Sequence, residues 1–199
     1  MDDLTVHSDY LIETPWIAFL LYWIVSALKT KRTVHREPLG WRFGIMLVEA
    51  FGFALFFGKA RNLPVLRRPV LRPSEGLAIA GIVLTWTGIA VAIWARRHLG
   101  EYWSGRITLK EDHKLIRTGP YAYFRHPIYS GIDLAAIGSG LAINQWRCVV
   151  GLAIIIFGFC VKAWREERLL RSQFGEEFEA HRRATGFLLP KVLGRPSRT

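Results

Sequence analysis

Leu77–Ala95 runs for 19 residues without a charged side chain, and that stretch narrows the fold more than any other property of the sequence. A helix needs about 20 apolar residues to cross a bilayer core, because every backbone polar group in lipid must find its partner within the protein. Four further stretches resemble it: Leu11–Leu28, Trp41–Gly58, Ile128–Trp146 and Cys148–Trp164. Soluble elements would alternate apolar and polar positions at helical or strand spacing, and these blocks do not. The expected fold is therefore all-α, a polytopic helical membrane protein with about five transmembrane helices. It forms one membrane domain over residues 1–199, with three N-terminal helices in 1–95 and a C-terminal half in 96–199 that carries two long polar segments. Arg147 alone separates the last two spans, which predicts a tight helical hairpin.

The charge distribution sets the orientation. The net charge is +11, yet Lys and Arg sit almost wholly between the apolar blocks. With the N-terminus outside, the cytoplasmic loops and tail hold twenty Lys and Arg against six on the outer side. Basic residues favour the cytoplasmic face, so the reading is N-terminus outside and C-terminus cytoplasmic, in a bacterial inner membrane or an endoplasmic reticulum. The acidic N-terminus (Asp2, Asp3, Asp9, Glu13) is the wrong charge for a signal peptide. No basic-aromatic module points to nucleic acid, and membrane lipids are the expected surroundings. No protein partner is evident. Cys148 and Cys160 on one helix would lie about 18 Å apart, too far to pair. His98, His113 and His181 lack the spacing of a metal site, and no metal is expected. Trp16, Tyr22 and Trp23 suit an interface belt, and Gly40-x-x-x-Gly44 and Gly138-Ser139-Gly140 suit close helix contact.

Two polar segments carry the chemistry. From His98 to Gly131 the chain is rich in turn and aromatic residues. Pro127 can start the fourth helix, because the first turn does not need its missing N–H. Tyr129 and Asp133 are then four residues apart on one face, with His126 at the mouth. An Asp within a span must face protein or a polar cavity, so it either pairs with a neighbouring helix or lines a site. Glu49, in the second span, is either an interhelical hydrogen-bond partner or a lining residue of the lipid cavity, and the first is the favoured reading. The second segment starts at Lys162 and Glu166, where the fifth span leaves the membrane. Leu170, Phe174 and Phe178 continue at spacing four, an amphipathic helix that lies on the membrane or on the first segment.

These segments resemble the isoprenylcysteine carboxyl methyltransferase family and the wider phospholipid methyltransferase-like group. The matching pieces are Leu99-Gly100, Trp103-Ser104, His113-Lys114-Leu115-Ile116, Gly119-Pro120-Tyr121, Arg125-His126-Pro127-x-Tyr129, Glu166-Glu167-x-Leu169, Phe174-Gly175-Glu176-Glu177-Phe178 and Pro190, in the family's order. The resemblance implies an S-adenosylmethionine-dependent methyltransferase, releasing S-adenosylhomocysteine. Its cofactor would be held by His113, Lys114, Leu115, Ile116, Tyr121, His126, Pro127, Ile128, Tyr129 and Glu166. It also implies a lipophilic or prenylated acceptor, most naturally an isoprenylcysteine-type carboxylate. The family's substrate-holding Arg, four residues before that Glu, is Lys162 here, with Arg165 one turn later; Lys lacks Arg's bidentate fork. A carboxylate acceptor is already ionised and needs alignment, whereas an ammonium acceptor would need a base, for which Glu167 and Asp133 are the candidates. A sterol-type NAD(P)H reductase is the alternative, but Ile128 and Ile132 stand where that group carries Asn and an acidic residue. A scaffold without activity is the third reading, against which stand the intact His126, Tyr129 and Glu166.

Overall fold

The computed structural model describes residues 2–27, 39–58, 63–100 and 115–191. His113, Lys114 and Trp103 lie outside the described residues. Six helices follow in order: α1 (Asp2–Ala27), α2 (Leu39–Phe57), α3 (Glu75–Leu99), α4 (Pro127–Ile143), α5 (Trp146–Phe174) and α6 (Glu176–Ala184). The five expected apolar blocks are the first five helices. By length and composition, three of them can cross a membrane: Tyr10–Ala27 of α1, α3 and α5. The apolar parts of α2 and α4, Phe43–Phe57 and Pro127–Ile143, are shorter.

Local chemistry sets the ends. Ser74 caps α3 by accepting a hydrogen bond from the Leu77 N–H at 3.3 Å. Pro127 begins α4, as its fixed φ predicts, with His126 as the preceding cap residue. The hairpin differs from expectation. α4 stops at Ile143, the turn is Asn144-Gln145, and Arg147 lies within the first turn of α5. Asn144 adopts a left-handed conformation (φ 53°), which Asn tolerates. Its amide exchanges hydrogen bonds with the backbone of Leu71 at 2.9 and 2.8 Å, fastening the loop after α2 to the hairpin. α5 runs past Trp164 to Phe174, and Gly175 (φ 49°) ends it before α6.

Small residues set the packing of α3 on α4. The antiparallel pairs are Gly81 with Gly138 and Gly88 with Gly131, so close that an added Cβ would overlap backbone atoms. Between them Ser139 binds the Thr85 hydroxyl at 3.1 Å and accepts from Trp16 Nε1 at 2.9 Å, tying α1, α3 and α4 together. Trp16, 8% exposed, is thus a core residue and not the interface anchor that its sequence position suggests. Gly40 and Gly44 also depart from expectation, since among the described residues nothing would come within 4 Å of a Cβ added at either. Gly88→Ala is the test of this packing. Its Cβ would stand 2.3 Å from Ala135 N and 2.5 Å from Gly131 O, so the helices must separate. The expected cost is about 1–3 kcal/mol, read as a lower melting temperature in detergent. Gly76→Ala, in open space on the same helix, should be neutral or slightly stabilising.

α2 packs antiparallel on α5. Trp41 lies beside Arg165 at one end, and Phe56 lies beside Cys148 and Gly151 at the other. Both cysteines are free. The start of α2, the ends of α1, α3 and α5 and the start of α4 share one end of the bundle. There Arg96 donates to the Ser26 carbonyl at 2.6 Å.

Candidate functional site

The site grows from the sharp entry into α4. Arg125 and His126 precede Pro127, and both meet the Glu166-Glu167 pair on α5. Adjacent residues on a helix point about 100° apart, so the two carboxylates serve different neighbours. Glu167 accepts from Arg125 Nε at 2.5 Å and lies 3.3 Å from His126 Nε2. Glu166 accepts from the Tyr129 hydroxyl at 2.5 Å and lies 3.4 Å from His126 Nδ1. The imidazole therefore stands between two carboxylates. Burial alone would push its pKa down, but both carboxylates favour the charged ring and hold it above the ordinary value.

Aromatic faces line this cluster. The His126 ring stacks on Tyr129 (centroids 5.7 Å apart), and Tyr129 stacks on Phe159 (4.9 Å). Lys162 Nζ lies 5.5 Å from the Tyr129 centroid and 6.0 Å from that of Phe159. On its other side Lys162 faces Glu49 of α2, with Nζ and Oε1 3.7 Å apart. Tyr121 is buried in the turn Gly119–Ala122 and lies 6.4 Å, ring to ring, from His98. His98 also fixes that turn by hydrogen bonding to Thr118 at 2.8 Å.

The chain after α6 closes the cluster from outside. Residues 185–188 run alongside Tyr123–Ser130 in a short parallel bridge, with Arg125 N donating to Gly186 O at 2.9 Å and Gly186 N to Tyr123 O at 3.0 Å. Ser130 Oγ donates to Leu188 O at 2.6 Å, and Phe187 meets the His126 ring edge-on at 5.3 Å. Arg125 Nη1 donates to the Thr185 carbonyl at 2.6 Å. Of the two placements open to the amphipathic C-terminal segment, α6 takes the one against the first polar segment.

The structure thus brings Arg125, His126, Tyr129, Lys162, Glu166 and Glu167 together. Pro127 and Ile128 are buried directly behind them, and Leu115 and Ile116 are half-buried just before the Tyr121 turn. Arg165 stacks on Trp41 of α2, its guanidinium carbon 4.3 Å from the ring centroid, away from Tyr129. Glu167 is engaged by Arg125 and His126, which suits a positioning carboxylate. Asp133 is buried one turn below Tyr129, and one of its oxygens has no hydrogen-bond partner. Two pairings escaped the sequence: that of Arg125 with Glu167, and the identity of Lys162 as the partner of Glu49, whose interhelical role is expected. The first had a signal in its place beside His126; the second had only a charge inside an apolar block.

His181, buried on α6, supplies a pH test. Burial comes first, then the nearby Arg125 and Arg117 charges and the charged His126; together they outweigh Glu167 and hold its pKa down, at about 4. The unfolded imidazole titrates near 6.5, so between these values the unfolded chain binds the extra proton and the folded one does not. Stability from this group is present above about 6.5 and is lost as pH falls toward 4. His126 shifts the other way, and its contribution is lost only as pH rises through its raised pKa. Hydrogen exchange over residues 176–190 should lose protection across the acidic window, and His181→Gln should remove that dependence.

The family model described as "Isoprenylcysteine carboxyl methyltransferase (ICMT) family" matches residues 80–172. A rice protein (Oryza sativa subsp. indica) called "Probable protein-S-isoprenylcysteine O-methyltransferase" is 27% identical over 175 residues, covering 86% of this chain and 88% of that one. The human "Protein-S-isoprenylcysteine O-methyltransferase" is 26% identical over 129 residues, covering 63% of this chain and 45% of that one. A Cupriavidus metallidurans relative, 29% identical over 165 residues, bears the name "Cobalt-zinc-cadmium resistance protein CzcN"; the match covers 81% of this chain and 67% of that one. The solved structure of a eukaryotic intramembrane Ras methyltransferase of this type shares the fold, with a TM-score of 0.54 and 21% identity. The match covers 80% of this chain and 56% of that one.

Proposed function

For this chain, a membrane-embedded relative of the isoprenylcysteine carboxyl methyltransferase family through residues 80–172, we propose S-adenosylmethionine-dependent methylation of a lipophilic carboxylate, with an isoprenylcysteine-type acceptor as its leading substrate. The observation that carries this reading is the His126–Tyr129–Glu166 cluster, which joins the start of α4 to α5 at one end of an apolar bundle. The reductase alternative is not favoured by the relatives described above.

The residues fit the cofactor's chemistry. Glu166, partly exposed beside buried ring faces, suits the ammonium of the methionine end. Both ring nitrogens of His126 face Glu166 and Glu167, so the ring suits the carboxylate of that end only when one of them leaves its glutamate, and backbone N–H groups suit it otherwise. The faces of Tyr121 and Tyr129 suit an adenine or a sulfonium. When bound, S-adenosylmethionine supplies a methyl cation equivalent: the acceptor oxygen forms the new O–C bond as the C–S bond breaks, and a neutral thioether leaves. The chain's own part is alignment and exclusion of water. Glu167 and Arg125 fix the His126 ring. Phe187 and residues 185–188 cover it. Lys162, between the Tyr129 face and α2, suits an acceptor carboxylate, which is ionised at neutral pH and needs no base. An apolar groove of about 590 Å³ between α2 and α5, lined by Leu47, Phe51, Ile154 and Phe157 among others, suits the acceptor's tail. With the basic loops inside, this end of the bundle is cytoplasmic.

Calorimetric titration in detergent with S-adenosylhomocysteine, and separately with NADPH, tests the class. Saturable binding of the first alone supports the reading, and binding of NADPH alone overturns it. Transfer of a labelled methyl group to an S-prenylated N-acylcysteine then tests the acceptor.

A further inference from the structure

Glu49 is on α2, outside the stretch that matches the family, yet it reaches the cluster. Its Oε1 is 3.7 Å from Lys162 Nζ, an ion-pair distance longer than a hydrogen bond. That oxygen is buried and has no hydrogen-bond partner, and the two side chains are only 16% and 19% exposed. The carboxylate can lie there because residue 158 is glycine: a Cβ on Gly158 would stand 3.0 Å from Glu49 Cγ. Lys162 in turn overhangs the Tyr129 ring, whose hydroxyl holds Glu166. The pair therefore forms the α2 wall of the cluster.

An ammonium in this position attracts any carboxylate that reaches it, and the chain has already supplied one. A second carboxylate must displace Glu49 or share the ammonium with it. Sharing sets two like charges within a few ångströms in a partly desolvated place, where repulsion is far stronger than in water. The loose geometry of this contact suits displacement, since at 3.7 Å no tight hydrogen bond between Glu49 Oε1 and Lys162 must break when Lys162 turns away.

We propose that Glu49 is a specificity-determining residue, a built-in competitor that occupies Lys162 until an acceptor carboxylate takes its place. This rests on the carboxylate-methylation reading above. Two consequences follow from the charges. A carboxylate head alone gains little at Lys162, so binding energy must come from the apolar tail, and short-tailed anions are rejected. Methylation turns the acceptor into a neutral ester, which makes no claim on Lys162, so Glu49 re-forms its pair while the product is held by its tail alone.

The test compares KM and kcat for an S-prenylated N-acylcysteine with Ki for its methyl ester, in wild type, Glu49→Gln and Glu49→Asp. Glu49→Gln should lower KM for the carboxylate about tenfold, the scale of one screened unit charge ~6 Å away, while Ki for the ester stays within about twofold. Glu49→Asp keeps the charge and should stay near wild type. A loss of packing alone would move both ligands together. An unchanged or raised KM in an active Glu49→Gln enzyme overturns the proposal. The wild type alone gives a second test, independent of whether the variant folds: it should bind the ester at least as tightly as the carboxylate, and a tenfold preference for the carboxylate overturns the proposal. If the wild type binds S-adenosylhomocysteine but methylates no prenylated carboxylate, the acceptor reading itself fails, a result distinct from either of these.

Discussion

Arg125→Met should lower the stability of the protein by up to about 3 kcal/mol, the lower end of the usual cost of breaking a buried ion pair, because Glu167 keeps the His126 ring as its second partner. Both side chains of the Arg125–Glu167 pair are 11% exposed, and their separation is 2.5 Å. The same guanidinium donates to the carbonyls of Thr185 and Arg182, so its loss also releases the segment that covers His126. Chemical or thermal unfolding in detergent measures the effect. Arg125→Met combined with Glu167→Gln, which removes the stranded charge, should recover part of the loss. Arg171→Ala is the contrast: Arg171 pairs with Glu179 at 2.6 Å but is half-exposed, and such pairs contribute less than about 1 kcal/mol. Equal effects at Arg125 and Arg171 would show that the buried pair has no special part in holding the C-terminal segment.

Glu166→Gln should cost the larger share of cofactor affinity. A hydrogen bond to a charged group contributes about 1.5–3 kcal/mol, so S-adenosylhomocysteine should bind about 10–150-fold more weakly. The change is nearly isosteric, and the Tyr129 hydroxyl can still donate to the amide oxygen, so the fold should persist. Tyr129→Phe should have a smaller effect, below about tenfold, because it removes the hydroxyl that orients Glu166 and leaves the carboxylate and the ring face. His126→Ala removes the contact to both carboxylates and should weaken binding at least as much as Tyr129→Phe. Calorimetric titration of the three variants orders them. Unaltered binding in both Glu166→Gln and His126→Ala would mean that the cofactor lies elsewhere in the bundle.

Much of this arrangement is legible in the sequence, for reasons that differ from residue to residue. Pro127 marks the start of α4 because its ring fixes φ and it has no N–H to satisfy. The apolar blocks mark five helices because a long unbroken apolar run satisfies its backbone in lipid as a helix, whereas the strands of a barrel would alternate apolar with polar residues. Gly138 and Ser139 mark a close contact because small side chains let helices approach. Helix ends are read less well. α5 passes Trp164 to Phe174 because nothing breaks it before Gly175, and a change from apolar to charged residues alters a helix's surroundings without ending it. Trp16 misleads because a tryptophan near a span's edge suits the interface equally well; only its bond to Ser139, 123 residues later, decides its place. Pairings such as Arg125 with Glu167 or Glu49 with Lys162 leave no local pattern at all, since each depends on which helices become neighbours.

The strand-like run of residues 185–188 beside Tyr123–Ser130 has a consequence for how the protein matures. A ribosome makes α1 to α5 before it makes this run. The cluster around His126 therefore stays uncovered, and Arg125 lacks the carbonyls of Arg182 and Thr185, until residues 182–188 have been made and released. Closure of the cluster thus waits on residues 182–188, so a message cut short after α5 would yield a chain that keeps its apolar helices while the His126 cluster stays open.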